Sequence, residues 1–189
     1  MNISVKLLAS ITLLALTSAM AAAQEHVVRH HEFDITDVNR LILDFRVGTI
    51  QLETSISDRI EVELTIKREN NRGLFRRNPD IQSMDLSHRS SQDTLRLVFD
   101  ESNVRSDWVI RLPALAYLEI DGGVGTVEGN LPPGAVDINL GVGAVDLVGS
   151  FASSGAIDLD ARVGDTSLCG LHGNEDSTER RALVSSKSS

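Results

Sequence analysis

The sequence is poor in cysteine, in aromatic residues and in positive charge. One cysteine in 189 residues excludes an intramolecular disulfide framework and a cysteine-rich zinc module. Five Phe, one Trp and one Tyr are too few for a binding surface that works mainly by stacking on sugars or nucleobases. The 18 Lys and Arg stand against 27 Asp and Glu, which gives a formal net charge of −9. Binding to nucleic acid requires clustered basic residues, so that function class is excluded as well.

Apolar segments long enough to cross a membrane are also lacking. Lys6 precedes an apolar stretch from Leu7 to Leu16, and small residues lead on to Ala21-Ala22-Ala23. This order is typical of a cleavable secretory signal peptide, here residues 1–23, with the mature chain starting at Gln24. The stretch is too short for a transmembrane anchor, which takes about 20 apolar residues. The sequence therefore predicts an exported protein, either periplasmic or at the cell surface and secreted, that does not span the membrane.

What the sequence does contain is one pattern that occurs four times. In each segment apolar and polar residues alternate as far as a Val, a Gly follows, and the alternation resumes in the other phase. Alternation predicts a strand with one buried face, on which the Val lies. The jump through glycine predicts a bend, after which a second strand faces the same core. The segments run from Leu41 to Leu52, Leu118 to Val127, Val136 to Leu147 and Ile157 to Leu168, with glycines at Gly48, Gly125, Gly143 and Gly164.

The spacing of the segments indicates how they assemble. Gly125 and Gly143 are 18 residues apart, and Gly143 and Gly164 are 21 apart. Such a period is typical of coils that stack through parallel strands. We therefore predict an all-β fold, a single-chain β-helix or solenoid with short coils of about 18–21 residues, with a β-sandwich as the alternative. Between the first two glycines, further strands are predicted at residues 59–67, 81–88, 94–99 and 108–112.

These residues resemble a known group of bacterial domains. The segment Leu-Ile-Leu-Asp-Phe-Arg-Val-Gly-Thr-Ile (41–50), the segment Leu-Pro-Ala-Leu-Ala-Tyr-Leu-Glu-Ile (112–120) and the tandem Val-Gly-x-Val turns are similar to the bacterial "putative adhesin" domains. That group is β-helical, of unknown function, and related to the auto-transporter adhesin head and to toast-rack domains. The resemblance covers about residues 33–170, implies an extracytoplasmic location and supplies no established catalytic residues. We predict a β-helix-like domain of this type over residues 24–170. Residues 171–189 depart from the pattern and are predicted to form a polar, disordered tail.

Carboxylates recur at fixed positions of the repeated segments. Aligning Val124, Val142 and Val163 stacks the carboxylates in rows about 4.8 Å apart if the coils are in register. Like charges so placed repel one another, so we predict an interaction face that binds a basic partner and weakly binds divalent cations. The alternative is a solvated face that supplies solubility. The predicted face consists of Glu119, Asp121, Asp137, Asp158 and Asp160.

A second candidate contact is the most basic stretch of the chain. Its basic residues flank two apolar ones, an arrangement that suits anionic lipid headgroups. The alternative is a polar loop between two strands. The candidate residues are Arg72, Leu74, Phe75, Arg76 and Arg77.

Other chemistry-bearing residues have ordinary explanations. His26, His30 and His31 have a spacing that can bind a metal, but a mobile N-terminal arm explains them better. Cys169 is expected to be a small half-buried residue rather than a reactive thiol. Val127 stands where a calcium-binding β-roll needs Asp. No cofactor, metal site or catalytic residue is predicted.

The absence of a catalytic set favours a non-enzymatic function. We predict a cell-envelope binding or surface-interaction module, adhesin-like, whose envelope or surface partner is unknown. An envelope structural or stress scaffold that assembles through open coil ends is one alternative. A carbohydrate-active β-helix enzyme is the other, because such enzymes also place carboxylates on a coil face.

Overall fold

A computed structural model describes residues 26–69, 79–150 and 154–170 of the chain. Within these ranges there are nine strands and no helix, so none is long and apolar enough to cross a membrane. The all-β prediction is confirmed. The strands are β1 (His26–Asp34), β2 (Arg40–Thr54), β3 (Arg59–Arg68), β4 (Ser87–Ser91), β5 (Thr94–Phe99), β6 (Val104–Leu112), β7 (Tyr117–Asn130), β8 (Gly134–Gly149) and β9 (Ser154–Gly170).

The strands form one mixed sheet in the order β1-β3-β6-β2-β7-β8-β9. The pairs β2–β7, β7–β8 and β8–β9 are parallel, as is β2–β6. The pairs β1–β3 and β3–β6 are antiparallel. β5 lies beside β2 in parallel and carries β4 on its other side. The sheet thus has a parallel stack, formed by β2, β7, β8 and β9, at one end. The other strands lie at the opposite end, where β5 and β6 are the covering strands that pair with the far side of β2.

β2 connects the two parts because its partners change along its length. Residues 40–45 pair with β5, and residues 48–54 pair with β6. On its other side β2 pairs with β7 along both stretches. The change of partner falls at Val47-Gly48, which is the step that the sequence pattern marks as a bend.

The glycines of the four segments lie side by side across the stack. Gly48 pairs with Gly125, Gly125 with Gly143, and Gly143 with Gly164. A Cβ on Gly143 would lie 1.7 Å from the carbonyl oxygen of Gly125, and one on Gly164 would lie 1.7 Å from that of Gly143. Gly143 and Gly164 also have φ of 152° and 143°, which side chains disfavour. Backbones therefore approach at this row in a way that only glycine allows.

Burial confirms the change of phase but corrects the position of the valines. In β8, Ile138 and Leu140 are buried before the glycine, and Val145 and Leu147 after it. Val142, which we expected to face the core, is 44% exposed, and its neighbour Val163 is 63% exposed. These valines point away from the core, so the core-facing positions on either side of the glycine, Leu140 and Val145, are five residues apart rather than three.

The two covering strands β5 and β6 contribute large aromatic side chains to the core. Trp108 and Phe99 are buried, with their rings edge to face at 6.4 Å. The indole N–H of Trp108 donates to Ser106 Oγ at 2.9 Å, and that hydroxyl donates to the carbonyl of Val47 at 3.1 Å. Ser106 is 1% exposed. This buried chain of hydrogen bonds joins β6 to the bend in β2.

Three of the predicted intervening strands are confirmed as parts of β3, β5 and β6. The predicted strand over residues 81–88 is wrong, because Asp80 and Ser83 form a turn and only residues 87–91 are extended. The expected N-terminal arm is also wrong for the described residues, since β1 begins at His26 and pairs with β3 along its whole length. The signal peptide at 1–23 and the tail at 171–189 lie outside the described residues.

Candidate interaction face

The registers of the stack bring the predicted carboxylates together in two rows. Glu119 pairs with Asp137, and Asp137 with Asp158. In the second row Asp121 pairs with Asn139, which pairs with Asp160. The alignment of the sequence segments thus corresponds to the pairing in the sheet.

The outward direction of both rows follows from strand alternation. Leu118 and Ile120 are buried in β7, so the residues between and after them point away from the core. Exposure increases along the stack: Glu119 and Asp121 are partly covered, whereas Asp158 and Asp160 are exposed. The rows therefore open toward β9.

β2 extends the rows and supplies residues that the repeat pattern did not identify. Asp44 pairs with Asp121 and so adds a carboxylate to the second row. Arg96 of β5 forms an ion pair with Asp44, with Nε 2.7 Å from Oδ2. Sequence alignment of the first segment with the second would have placed Asp44, but Arg96 lies on a strand that has no repeat signature.

A second cation lies at the covered end of the first row. Arg40 forms an ion pair with Glu119, and its guanidinium carbon lies 4.3 Å from the centre of the Tyr117 ring, a cation–π distance. The Tyr117 hydroxyl donates to Asp137 at 3.1 Å, and the Asn139 amide donates to the other oxygen of Asp137 at 2.9 Å. Burial and these neighbouring carboxylates raise the pKa of Tyr117, which keeps its hydroxyl a donor.

Charge compensation of the carboxylates does not extend to the β9 end of the rows. Asp158 and Asp160 have no hydrogen-bond or ion-pair partner among the residues that the structure describes. Burial, followed by the charges of Glu119, Asp44 and Asp137, raises the pKa of Asp121, and Arg96 lowers it only in part. Uncompensated negative potential is therefore concentrated between β7 and β9.

A groove runs across the strands beside the second row. It has a volume of about 700 Å³ and extends from Arg96 on β5 to Arg162 on β9. Its floor is formed by backbone, because Gly123 and Gly141 occupy outward positions where a side chain would fill the space. A Cβ on Gly123 would lie 2.5 Å from the carbonyl oxygen of Arg46, so the strand spacing itself requires glycine there. Asp44, Asp121, Asn139 and Asp160 line the groove.

The remaining candidates from the sequence are the basic stretch, Cys169 and the N-terminal histidines. The basic residues 72–77 lie outside the described residues. Cys169 is exposed rather than half-buried, because it follows the core-facing Leu168 and points to the opposite side of β9. His31 lies 2.9 Å from Asp85 and His30 lies 3.7 Å from Glu63. Within residues 26–69, 79–150 and 154–170, no group of three His, Cys, Asp or Glu side chains could hold a metal ion.

Comparison with solved structures relates this fold to two bacterial proteins. The chain is similar to "a putative cell adhesion protein" from Clostridium sporogenes ATCC 15579, with a TM-score of 0.52 and 12% identity over 76% of this chain and 71% of that chain. It is also similar to "a putative adhesin" from Bacteroides fragilis NCTC 9343, with a TM-score of 0.37 and 16% identity over 77% and 78%. No family model and no curated protein matches the sequence. The first likeness supports the adhesin-like fold that the sequence resemblance implied.

Proposed function

We propose that this protein is an exported, non-enzymatic interaction module of adhesin-like type, which binds a cationic partner on a cell envelope or surface. The acidic face, defined as Glu119, Asp121, Asp137, Asp158 and Asp160, is the contact. The observation that carries the proposal is the loss of charge compensation along the face: its carboxylates have basic or hydroxyl partners near β2 and none among the described residues at β9. A face that served solubility alone would not need its charges stacked in register at repulsive distance.

Solenoid coiling supports this role, and we propose it as the finer description of the stack. β7 starts beside Ala135 of β8, yet only residues 131–133 separate the two strands. A straight strand of 14 residues would be about 45 Å long at 3.3 Å per residue, which three residues cannot retrace. The chain must therefore return within β7 itself, at the bend marked by the glycine row. Stacked coils give a flat face on which equivalent residues repeat, as surface-binding solenoids use.

The alternatives have less support. A scaffold of coils stacked end to end needs two free ends, but β5 and β6 cover the far side of β2. A carbohydrate-active enzyme would need aromatic platforms beside its carboxylates, and Tyr117, already engaged by Arg40, is the one aromatic residue of the described parts of β7 to β9.

Cell binding by matched charge variants tests the proposal. The first variant removes three charges of the acidic face (Asp137→Asn, Asp158→Asn and Asp160→Asn). The second removes one exposed charge from each of β7, β8 and β9 beyond the glycine row (Glu128→Gln, Asp146→Asn and Asp165→Asn). Both change the net charge by the same amount, so a difference between them reports position rather than total charge.

We expect fluorescently labelled mature protein to bind bacterial and epithelial cell surfaces, with retention decreasing as salt is raised. The acidic-face variant should retain less than about a third of the wild-type binding, and the second variant should resemble wild type. Equal binding by all three proteins, or no binding to any surface, would refute the proposed contact.

A further inference from the structure

The edge of β9 differs from every other sheet edge in the described part of the chain. β9 is 17 residues long and pairs there only with β8. Edge strands are usually short, or carry a proline or a covering segment, because their unpaired N–H and C=O groups can template another strand. β4, an edge strand at the covered end, has five residues. β1 is covered in part, since Arg29 donates to the carbonyls of Gln82 and Met84.

The backbone of β9 is already shaped for one more neighbour. It carries the same corner as β7 and β8, and its Gly164 pairs with Gly143 as Gly143 pairs with Gly125. Leu159 and Ala161 are buried, so the core continues to this last strand. A strand added at β9 would extend both the hydrogen-bond ladder and the apolar row beneath it.

The side chains at this edge determine which strand can be added. Asp158 and Asp160 are exposed, two residues apart, and without a partner among the described residues. The outward residues of an added strand would lie about 4.8 Å from them. Opposite charges at that separation stabilise a cross-strand pair, whereas like charges destabilise it. The edge therefore rejects acidic strands and favours one with basic residues at alternate positions.

Two occupants available from the protein itself fit poorly. A second copy paired through its own β9 would bring Asp158, Asp160 and Asp165 of each chain to the same interface against a single basic residue, Arg162, so negative charge remains in excess and opposes the pairing. The protein's own residues 171–189 include Glu179-Arg180-Arg181, but they lack the apolar alternation that would continue the row of Leu159 and Ala161. An external segment remains the occupant that charge favours.

We propose that β9 binds an extended segment of its partner by strand addition, and that this segment alternates Lys or Arg with apolar residues. Backbone hydrogen bonds to β9 supply affinity, the basic residues pair with Asp158 and Asp160, and the apolar residues continue the buried row. This inference rests on the proposed function, since it names the partner chemistry for the β9 end of the acidic face. It also explains why a long edge strand remains without proline.

Binding of short synthetic peptides to the full mature protein tests the proposal, with isothermal calorimetry as the measurement. The probe is an end-blocked peptide of alternating valine and lysine. One control replaces lysine by glutamate, and a second keeps the lysines but methylates alternate backbone nitrogens, which removes the N–H donors of one edge. The protein variants are wild type and the double charge reversal Asp158→Lys with Asp160→Lys, whose fold is checked by circular dichroism.

The valine–lysine peptide should bind wild type, and methylation or the double charge reversal should each weaken binding at least about tenfold. The reversed variant should prefer the glutamate peptide. Binding that is insensitive to methylation would overturn strand addition even if the acidic face binds cell surfaces. Methylation-sensitive peptide binding without any binding to cell surfaces would refute only the cellular role. Dimerisation of wild type lost on charge reversal would overturn the proposal in favour of a second copy. Tighter peptide binding after removal of residues 171–189 would overturn it in favour of the chain's own tail.

Discussion

The two ends of the parallel stack differ in whether their carboxylates are paired and whether their outer strand edge is covered. At the β2 end, β5 and β6 cover the stack and ion pairs are dense, including Arg96–Asp44, Arg111–Glu53 and Lys67–Asp107. From β7 to β9, the described strands contain a single basic residue, Arg162. An end whose carboxylates are paired and whose edge is covered presents few unpaired charges or backbone groups that a partner could bind. Among the residues that the structure describes, the β9 end retains both an unpaired edge and unpaired charge.

The core has the same asymmetry. Phe45, Phe99 and Trp108 fill the covered end, whereas Leu159, Ala161 and Leu168 form the last layer. Burial of large aromatic side chains contributes more to stability than burial of Ala and Leu. We infer that the covered end supplies most of the stability and that the β9 end is the part free to respond to binding, as surfaces that bind are often the less stable ones.

Alanine substitution along the glycine row is the strongest test of this comparison. A Cβ on Gly48 would lie 1.7 Å from the carbonyl oxygen of Ser106, between strands that cannot separate. We expect Gly48→Ala to cost at least about 3 kcal/mol of unfolding free energy or to prevent folding. Gly164→Ala makes a contact as short, but β9 has no neighbour beyond it in the described chain and can shift outward, so its cost should be about 1–2 kcal/mol.

Urea denaturation measures both losses, with Gly155→Ala as the matched control. Gly155 is also in β9, but its Cβ would have no contact closer than 3.1 Å, so the change should stay within about 1 kcal/mol. Equal losses at Gly48 and Gly164 would mean that β9 is held as firmly as β2, and the inferred asymmetry would be wrong.

Serine substitution compares a buried with an exposed hydrogen bond. Ser106→Ala removes the acceptor of the Trp108 indole in a site that is 1% exposed. A buried donor without a partner costs about 1–3 kcal/mol. Ser167 of β9 donates to Asp146 at 2.9 Å on the exposed surface, and its loss should lie within about 0.5 kcal/mol. Thermal unfolding followed by tryptophan fluorescence checks both, and similar shifts in Tm would contradict the difference between the ends.

Much of the parallel stack could be predicted from the sequence because its period fixes its register. Once the glycines are aligned, the register is fixed, and the cross-strand neighbour of every outward carboxylate of β7, β8 and β9 is known. The exposed valines could not be predicted, since apolar alternation does not show at which residue of the Val-Gly step the buried phase changes.

The covering strands were predicted as strands but not as neighbours. β5 and β6 both begin far along the chain from the end of β2 at Thr54, the nearer of them at Thr94, and pairing at such separations has no periodic signal. Arg96 therefore could not be assigned to the acidic face, although it pairs with Asp44. Arg40 lies on β2, and extending the alignment of the repeated segments by one residue would have placed it beside Tyr117. The carboxylates on the repeated segments were predictable, whereas Arg96, which compensates the charge of Asp44, was not.

Two carboxylates with opposite pKa shifts give the smallest but most direct test. Burial raises the pKa of Asp107, but hydrogen bonds from Lys67 and Arg105 outweigh it, and the net shift is downward. Asp107 therefore contributes stability above its ordinary carboxyl pKa, which is lost as pH falls through the lowered value. The pKa of Asp121 is raised, so stability is fullest below the ordinary value and decreases as pH rises through the raised one.

The Asp107→Asn variant should consequently be less stable than wild type at pH 7, and Asp121→Asn should be more stable, each by less than about 1 kcal/mol because solvent screens both sites. Both differences should shrink as pH falls toward 3, where the wild-type carboxyls become protonated. Urea midpoints measured from pH 3 to 7 give the sign directly, with the exposed Asp165→Asn as a control that should change little. A loss of stability in Asp121→Asn at pH 7 would show that its charge is compensated after all, and the uncompensated charge of the acidic face would then be confined to Asp158 and Asp160 on β9.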